Sequence, residues 1–87
     1  MSMPAVIQLR FFAGARAATG VDTIDLAVPA GASLGDALAQ LTPASGQQLD
    51  RVLDRCSFLI NAIATTDRRV ILSDGDRVDV MPPFAGG

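Results

Sequence analysis

The sequence predicts an α+β fold, in which one main helix and a shorter second helix pack on a small mixed β-sheet. Three observations support this class: segments with the alternating polarity of strands lie near both ends of the chain, helical spacing lies between them, and turn-forming residues separate them. The chain has 87 residues, 49% of them hydrophobic, which is enough for one modest core. We therefore expect one domain that spans residues 1–87.

The first half of the chain predicts two strands and then the main helix. Residues 5–12 and 21–28 alternate apolar and polar side chains, and the small residues at 13–20 between them predict a hairpin loop. Ser33 can cap the helix together with Asp36 three positions later, in a variant of the capping box. A Thr-Pro pair should end this helix. Its apolar face is formed by leucines: Leu34, Leu38 and Leu41.

The second half predicts a short helix and the remaining strands. Residues 47–56 carry an apolar face at helical spacing, and residues 57–60 form a short apolar strand. Residues 61–69 predict a polar connection that holds at most a little more strand. Ser73-Asp74-Gly75-Asp76 is a strong turn signal and fits a turn better than a metal site. Apolar side chains alternate again in residues 77–81, which predict the last strand.

This order of elements predicts the topology. The first two strands can pair as an antiparallel hairpin, and the last strand can return beside the first one, in parallel, after the helical crossover. A mixed sheet of this kind with a helix on one face is a β-grasp, the ubiquitin-like roll.

The composition excludes most catalytic designs. All seven basic residues are Arg and all nine acidic residues are Asp, while Lys, Glu, His, Tyr and Trp are absent. Without Lys or His there is no Schiff-base nucleophile, no P-loop lysine and no imidazole for acid–base chemistry or metal binding, so we predict no metal site and no bound cofactor. Cys56 is the only cysteine, and we expect a buried, inert thiol rather than a sulfur relay.

Charge and apolar pattern bear on partners and location. A net charge of −2 does not favour binding to nucleic acid or to an anionic membrane surface. The sequence has no apolar run long enough to span a bilayer, and its first twelve residues lack the features of a signal peptide. We therefore expect a cytoplasmic protein that binds neither nucleic acid nor membranes.

The C-terminal segment is the most informative part of the sequence. Pro82-Pro83 stops the last strand, so we expect residues 82–87 to form an extended, flexible tail that reaches about 20 Å. Gly86 and Gly87 carry no Cβ and would pass through a narrow channel. A terminal carboxylate has a reference pKa of about 3.3–3.7 and is unreactive when ionised. Activation by ATP to an acyl-adenylate would let sulfur replace the adenylate and give a thiocarboxylate, as group carriers do.

Several segments resemble the MoaD/ThiS family of sulfur carriers, over nearly the whole chain. The opening Phe11-Phe12-Ala13-Gly14-Ala15-Arg16, the strand end Leu59-Ile60-Asn61 and the turn Asp74-Gly75-Asp76 are similar to that family's pattern. The most specific block is the end of the chain, Pro82-Pro83-Phe84-Ala85-Gly86-Gly87. Within the family, the resemblance is strongest to the branch that serves molybdopterin synthase. Ala62 departs from the pattern, since relatives more usually carry a polar residue or Gly there.

The resemblance implies a working C-terminal glycine on a non-catalytic subunit. An E1-like adenylyltransferase would adenylate Gly87, and a sulfurtransferase or cysteine desulfurase would supply the sulfur that makes it a 1-thioglycine. Gly86 and Ala85 would thread the active site of a partner, the large subunit of molybdopterin synthase. There the thiocarboxylate would give sulfur to cyclic pyranopterin monophosphate to build the molybdopterin dithiolene. The glycyl adenylate and the thioglycine would be transient modifications.

A docking surface is predicted beside the tail. Phe12 and Met81 fall on strand faces opposite the expected core, and Phe84 follows closely. Aromatic residues and Arg are favoured in interfaces, so we predict that these three residues and Arg16 bind the partner. The rim of the patch would be basic: Arg10, Arg16 and Arg77.

Other functions stay open at this point. The same carboxylate chemistry could serve thiamin or cysteine biosynthesis, although the tail and the Phe-Phe opening favour the molybdopterin pathway. The chain could instead be a ubiquitin-like protein tag, although a chain without lysine cannot form lysine-linked chains of itself. The residue inventory disfavours a stand-alone enzyme.

Overall fold

Eight elements make up the fold, which a computed structural model describes over residues 3–83. In chain order they are β1 (Ala5–Phe11), α1 (Ala13–Thr19), β2 (Thr23–Val28), α2 (Leu34–Leu38), α3 (Leu49–Asp54), β3 (Ser57–Ile60), β4 (Ile63–Thr65) and β5 (Arg77–Met81).

The five strands form one mixed sheet in the order β2-β1-β5-β3-β4. Strands β1 and β5 lie side by side in parallel at its centre, and the other neighbouring pairs are antiparallel. The architecture is therefore the predicted β-grasp, including the return of the last strand beside the first. The short β4 lies in the segment for which the sequence predicted a polar connection with a little strand.

Alternation along the central strands separates a buried face from an exposed one. Ile7, Leu9 and Phe11 of β1 and Val78 and Val80 of β5 are buried on the side where the helices pack. The opposite side, called the open face below, carries no helix among residues 3–83. Its central positions are Gln8, Arg10, Leu59, Asp79 and Met81.

Helix α1 corrects the prediction of a hairpin loop at residues 13–20. The segment is rich in alanine, which favours a helix, and Ala15 and Ala18 are fully buried on one face of it. Gly20 then ends the helix in the left-handed conformation, at φ 78°, and its N–H donates to the carbonyl of Arg16 at 2.8 Å. A small apolar face replaces the leucine spacing that identifies most amphipathic helices, which is why the sequence pattern predicted a loop.

Helix α2 begins as predicted and ends earlier. The Ser33 hydroxyl accepts the Asp36 N–H at 3.1 Å, and the Asp36 carboxylate accepts the Ser33 N–H at 3.0 Å, which completes the capping box. After Leu38 the chain tightens into three-residue turns, because the N–H of Leu41 bonds to the carbonyl of Leu38. Helix α3 is likewise shorter than the predicted range 47–56 and buries Leu49 and Leu53, its apolar face.

The predicted turn at residues 73–76 fastens the start of β5 to the start of β1. The Asp74 carboxylate accepts the N–H of Val6 at 2.7 Å, and the N–H of Gly75 donates to the Val6 carbonyl at 2.9 Å. The Asp76 carboxylate accepts the N–H of Ser73 at 2.8 Å. Both carboxylates of the motif therefore accept backbone hydrogen bonds that stabilise the turn and its contact with β1, which agrees with the turn that the sequence predicted.

The hairpin between β3 and β4 has a two-residue loop, Asn61-Ala62. Both residues have positive φ, 49° and 72°, as the tight turns that suit strand twist require. Asn61 also bonds to the neighbouring turn, because its side-chain amide donates to Asp76 at 2.8 Å and accepts the N–H of Arg77 at 3.0 Å. Ala62 has no such bond and bears the steric cost of a Cβ in the left-handed region.

Replacing Ala62 by Gly should therefore stabilise the protein. The left-handed conformation costs a residue with a Cβ about 1–2 kcal/mol, part of which Gly gives back through its greater freedom in the unfolded chain. We expect a net gain of about 1 kcal/mol, which raises the melting temperature of a domain of this size by about 4–8 °C. Thermal unfolding followed by circular dichroism measures it.

Ala17→Gly is the matched control, since Ala17 is exposed in the interior of α1. There the same substitution should destabilise by about 0.5–1 kcal/mol. A loss of stability in both variants would contradict the strain assigned to Ala62.

Candidate functional site

The candidate site lies where β5 ends. Met81 pairs with Ser57 of β3, and the N–H of Phe12 donates to the carbonyl of Val80 at 3.3 Å. Phe12 continues β1 by one extended residue and is the N-cap of α1. The last described residues, Pro82 and Pro83, therefore leave the sheet directly beside Phe12.

An open groove of about 910 Å³ lies at this exit. Phe12, Met81, Pro82 and Pro83 form one wall, and residues of α3 and the loop before it form the other. The residues that line the second wall are mixed in polarity: Gly46, Gln47, Gln48, Arg51, Val52 and Arg55.

The structure places Phe12 and Met81 together, on the predicted side of the sheet. Phe12 is 37% exposed and Met81 is half-buried, while their strand neighbours Phe11 and Val80 are in the core. Phe84, predicted as the third member of the patch, lies outside the described residues. The role of these residues in binding a partner stays a prediction.

The predicted basic rim is partly wrong. Arg10 lies beside Phe12, but Arg77 is at the opposite end of β5, about 13 Å along the strand from Met81. Arg16 lies beside a neighbouring depression that also includes Phe12, and it forms an exposed ion pair with Asp22. Arg77 was placed wrongly because the rim was predicted from strand faces alone, although the spacing of four positions between Arg77 and Met81 on one strand already separates them along it.

Arg51 and Arg55 are the basic residues that line the groove, and the sequence pattern did not predict them as part of the site. Both are exposed, and they lie four residues apart, so they share one side of α3 and the turn that follows it. That spacing was readable in the sequence as a basic stripe on a short helix. Its position beside the tail depends on how α3 packs, which no local pattern encodes.

The functional residues predicted in the tail lie outside the described residues, as does Phe84. They are Ala85, Gly86 and Gly87. Their roles in carrying sulfur and threading a partner therefore stay predictions. The described part of the predicted tail is Pro82, which is half-buried, and Pro83, which is exposed.

An ion pair lies at the centre of the open face. Nε of Arg10 donates to Oδ1 of Asp79 at 2.7 Å and Nη2 donates to Oδ2 at 2.9 Å, a bidentate arrangement. Asp79 is 8% exposed and is the only buried charged residue within residues 3–83. The hydrogen bonds that Arg10 donates to the Asp79 carboxylate raise the pKa of Arg10 above its ordinary value.

Cys56 does not line the groove and is buried at 6% exposure. Its thiol lies 3.1 Å from the carbonyl of Val52, to which it donates. Burial raises the pKa of the thiol, and the charge of Arg68 opposes this only in part. The thiol is thus held protonated, which supports the expectation of an inert cysteine.

The described residues carry neither a metal-binding cluster nor a membrane span. Residues 3–83 contain no group of three or more Cys or Asp side chains placed to hold a metal ion. Over the same range, none of the helices has both the length and the apolar character that crossing a bilayer requires.

Alkylation of Cys56 should be slow in the native protein. At about pH 8 an ordinary thiol is partly ionised, whereas burial and the raised pKa suppress the thiolate here. We expect iodoacetamide to react more than tenfold more slowly with the folded chain than with the chain in denaturant, as followed by intact mass. Equal rates in the two states would contradict the burial described.

Comparisons with known proteins agree with the fold and the sequence resemblance. The family model described as the ThiS family matches residues 9–87. The chain is 35% identical, over 83 residues, to a protein of Chlamydomonas reinhardtii named molybdopterin synthase sulfur carrier subunit, and the match covers 93% of this chain and 98% of that protein.

Solved structures extend the comparison. SAMP1 from Haloferax volcanii superimposes with a TM-score of 0.78 at 25% identity, covering 95% of this chain and all of that one. A second Haloferax volcanii protein, solved in solution, has a TM-score of 0.72 at 31% identity, covering 97% of this chain and 88% of that one. The family match covers most of the chain and agrees with the β-grasp topology. The chain therefore belongs to the ThiS family, the small, non-catalytic MoaD/ThiS sulfur carriers that its sequence resembles.

Proposed function

We propose that this chain is the sulfur carrier subunit of a molybdopterin synthase. The observation that carries the proposal is the 35% identity to the Chlamydomonas reinhardtii carrier subunit, which extends over almost the full length of both chains. The resemblance of the final block, Pro82 to Gly87, adds to it, because that block holds the group on which a carrier depends.

The chemistry takes place on the carboxylate of Gly87. An oxygen of the carboxylate attacks the α-phosphorus of ATP in an activating adenylyltransferase, and pyrophosphate leaves. The outer sulfur of a donor enzyme's persulfide then attacks the acyl carbon and displaces AMP, and a thiol reduces the resulting acyl disulfide to a thiocarboxylate. The thiocarboxylate gives up its sulfur to a pterin precursor on the large subunit, and water restores the carboxylate. The protein supplies position, and other enzymes supply the reactions.

The fold suits this delivery role. β5 lies between β1 and β3, so the root of the tail is held by hydrogen bonds on both sides. Beyond Pro83 the four residues 84–87 reach about 13–14 Å when extended. That length would let the terminal group reach into a partner, while the two prolines fix the backbone φ angles where the tail starts.

The residue inventory supports a carrier over an enzyme. The chain has no His, Lys, Glu or Tyr, and its one thiol is buried. In residues 3–83, every buried polar side-chain atom has a hydrogen-bond partner, so the described part of the chain holds no unsatisfied buried group that calls for a functional explanation.

The apolar wall of the groove is the proposed docking surface for the large subunit. A partner that accepts the tail must contact the surface from which the tail emerges, and Phe12 and Met81 are that surface. An exposed aromatic ring next to a half-buried methionine gains more from a protein partner than from water.

A second candidate function is a ubiquitin-like tag. The structural similarity to SAMP1, which is named a small archaeal modifier protein, favours it. The same activated Gly87 would then be transferred to an amine of another protein instead of to sulfur. The two functions share adenylation and differ in the product, a thiocarboxylate or an amide.

The test is the mass of the carrier after activation. We expect that incubation with ATP, an E1-like adenylyltransferase and a sulfur source adds the mass difference between sulfur and oxygen, and that peptide mapping places it on Gly87. The intact mass also checks that Gly87 is the terminal residue, which the proposal requires. Transfer of the product to cyclic pyranopterin monophosphate on the large subunit identifies the pathway.

Two control variants sharpen this test. Cys56→Ser should gain the same mass, whereas a chain extended by one alanine should lose sulfur transfer because its carboxylate is displaced by about 3.3–3.6 Å. Modification at Cys56 would overturn the carrier mechanism. Amide-linked conjugates in place of a thiocarboxylate would favour the tag.

Phe12→Asp should weaken binding to the large subunit without unfolding the carrier. Phe12 is the N-cap of α1 and makes no side-chain cap bond, and Asp is a preferred N-cap residue, so the fold should tolerate it. Loss of a buried aromatic anchor typically costs at least about 1–2 kcal/mol, or about tenfold or more in affinity. Titration calorimetry with the large subunit measures the loss.

Val21→Asp is the matched control, because Val21 is exposed to a similar extent, 41%, and does not line the groove. It should leave the affinity unchanged. Unfolding of Phe12→Asp would place Phe12 in the core, and equal affinity of the two variants would place the docking surface elsewhere.

A further inference from the structure

The Arg10–Asp79 ion pair is the feature that the proposed function leaves unexplained. The two residues are direct partners in the parallel register of β1 and β5, and Leu59 of β3 lies opposite Asp79 on its other side. The Asp79 side chain is 12% exposed and that of Arg10 is 38% exposed. A charged pair therefore occupies the middle of the open face, between the apolar end at Met81 and the turn that starts β5.

The stability of the fold need not depend on this pair. Taking a carboxylate out of water costs free energy, and the attraction to its partner often does no more than offset that cost. Apolar residues of similar size often replace a buried ion pair without loss of stability. The other three ion pairs within residues 3–83 are exposed, so they carry no comparable desolvation cost. A role outside stability explains why charge is placed here.

The pair is connected to the docking surface through Phe12. Cζ of Arg10 lies 5.6 Å from the centroid of the Phe12 ring, at the distance of a cation–π contact. Asp79 binds Nε and Nη2, which fixes the plane of the guanidinium. A fixed guanidinium restricts the ring that packs against it, and restricting an anchor before binding lowers the entropy cost of docking.

Arg10 also keeps donors available. A guanidinium has five N–H groups, and the bonds to Asp79 use two of them. Within residues 3–83 the side chain makes no other hydrogen bond, so the remaining N–H groups are available to a partner. Because Asp79 already neutralises the charge, a neutral carbonyl oxygen suits these donors better than a second carboxylate.

We propose that Arg10 is a specificity-determining contact of the docking surface and that Asp79 is its positioning residue. Asp79 orients Arg10 so that it steadies the Phe12 ring and donates hydrogen bonds to a carbonyl oxygen of the large subunit. The proposal rests on the proposed function, since it requires that the open face beside Phe12 docks on that subunit.

The central test is the apolar double variant Arg10→Leu/Asp79→Leu. It should melt close to the wild type, yet bind the large subunit about tenfold to a hundredfold more weakly, the range for losing a hydrogen bond to a charged group. In sulfur transfer, KM should rise while kcat at saturation stays unchanged. Arg68→Leu/Asp54→Leu, which removes an exposed ion pair elsewhere, is the control and should leave affinity unchanged.

Single variants separate the two roles. Asp79→Asn keeps the shape and removes the charged bidentate acceptor, so affinity should fall although Asp79 itself is nearly covered. Arg10→Lys keeps the charge and loses the planar fork, and it should also bind more weakly. Wild-type affinity in Asp79→Asn would overturn the positioning role of Asp79. If the double variant does not fold, these two single variants test the proposal in its place.

Two further measurements complete the test: the salt dependence of the affinity and the binding of the wild-type carrier. In about 1 M salt the affinity ratio between wild type and double variant should persist, because a carbonyl contact is weakly screened. Collapse of the ratio would overturn the carbonyl assignment in favour of a carboxylate. Equal affinity of all variants would overturn this inference alone, whereas a wild-type carrier that fails to bind the large subunit would overturn the proposed function and this inference with it.

Discussion

The parallel pairing of β1 with β5 is the constraint on which the rest of the structure depends. It joins the two ends of the chain at the centre of the sheet, with Gln8 opposite Arg77 and Phe11 opposite Val80. A parallel pair needs a long crossover, and the four elements between β2 and β5, which are α2, α3, β3 and β4, all lie within it. Because β1 and β5 end side by side, Phe12 and the tail leave the sheet at the same place.

The turn at Ser73–Asp76 sets the register of that pair. Asp74 and Gly75 bond to both backbone groups of Val6, and the N–H of Gln8 donates to the carbonyl of Asp76 at 2.9 Å. A slip of one residue would move every side chain of β5 to the other face and expose Val78 and Val80. The position of Asp79 opposite Arg10, and of Met81 beside Phe12, thus follows from hydrogen bonds at the far end of the strand.

Much of this fold could be predicted from the sequence, and the failures have physical causes. Period-two alternation and strong turn residues located the central strands, and Ser33 with Asp36 located the start of α2. Helix α1 was missed because alanines form its buried face and give little signal of burial. Arg51 and Arg55 were missed as rim residues because their position depends on the packing of α3. The Arg10–Asp79 pair follows only from the register, and residues 84–87, where the proposed chemistry resides, were interpreted from motif and resemblance alone.

The proposed function also gives a physical meaning to the use of Arg as the only basic side chain. An acyl-adenylate at Gly87 is an electrophile, and an unprotonated lysine amine is a nucleophile that competes for it. The guanidinium stays protonated at any working pH and does not attack, so seven Arg residues supply positive charge without offering such an amine. The same property suits Arg10 at the docking surface, where the planar fork holds Asp79 with two donors and still presents others. The use of Arg in place of Lys therefore has two consequences for a carrier of this kind: no lysine amine competes for the activated end, and a planar guanidinium is available for the docking contact.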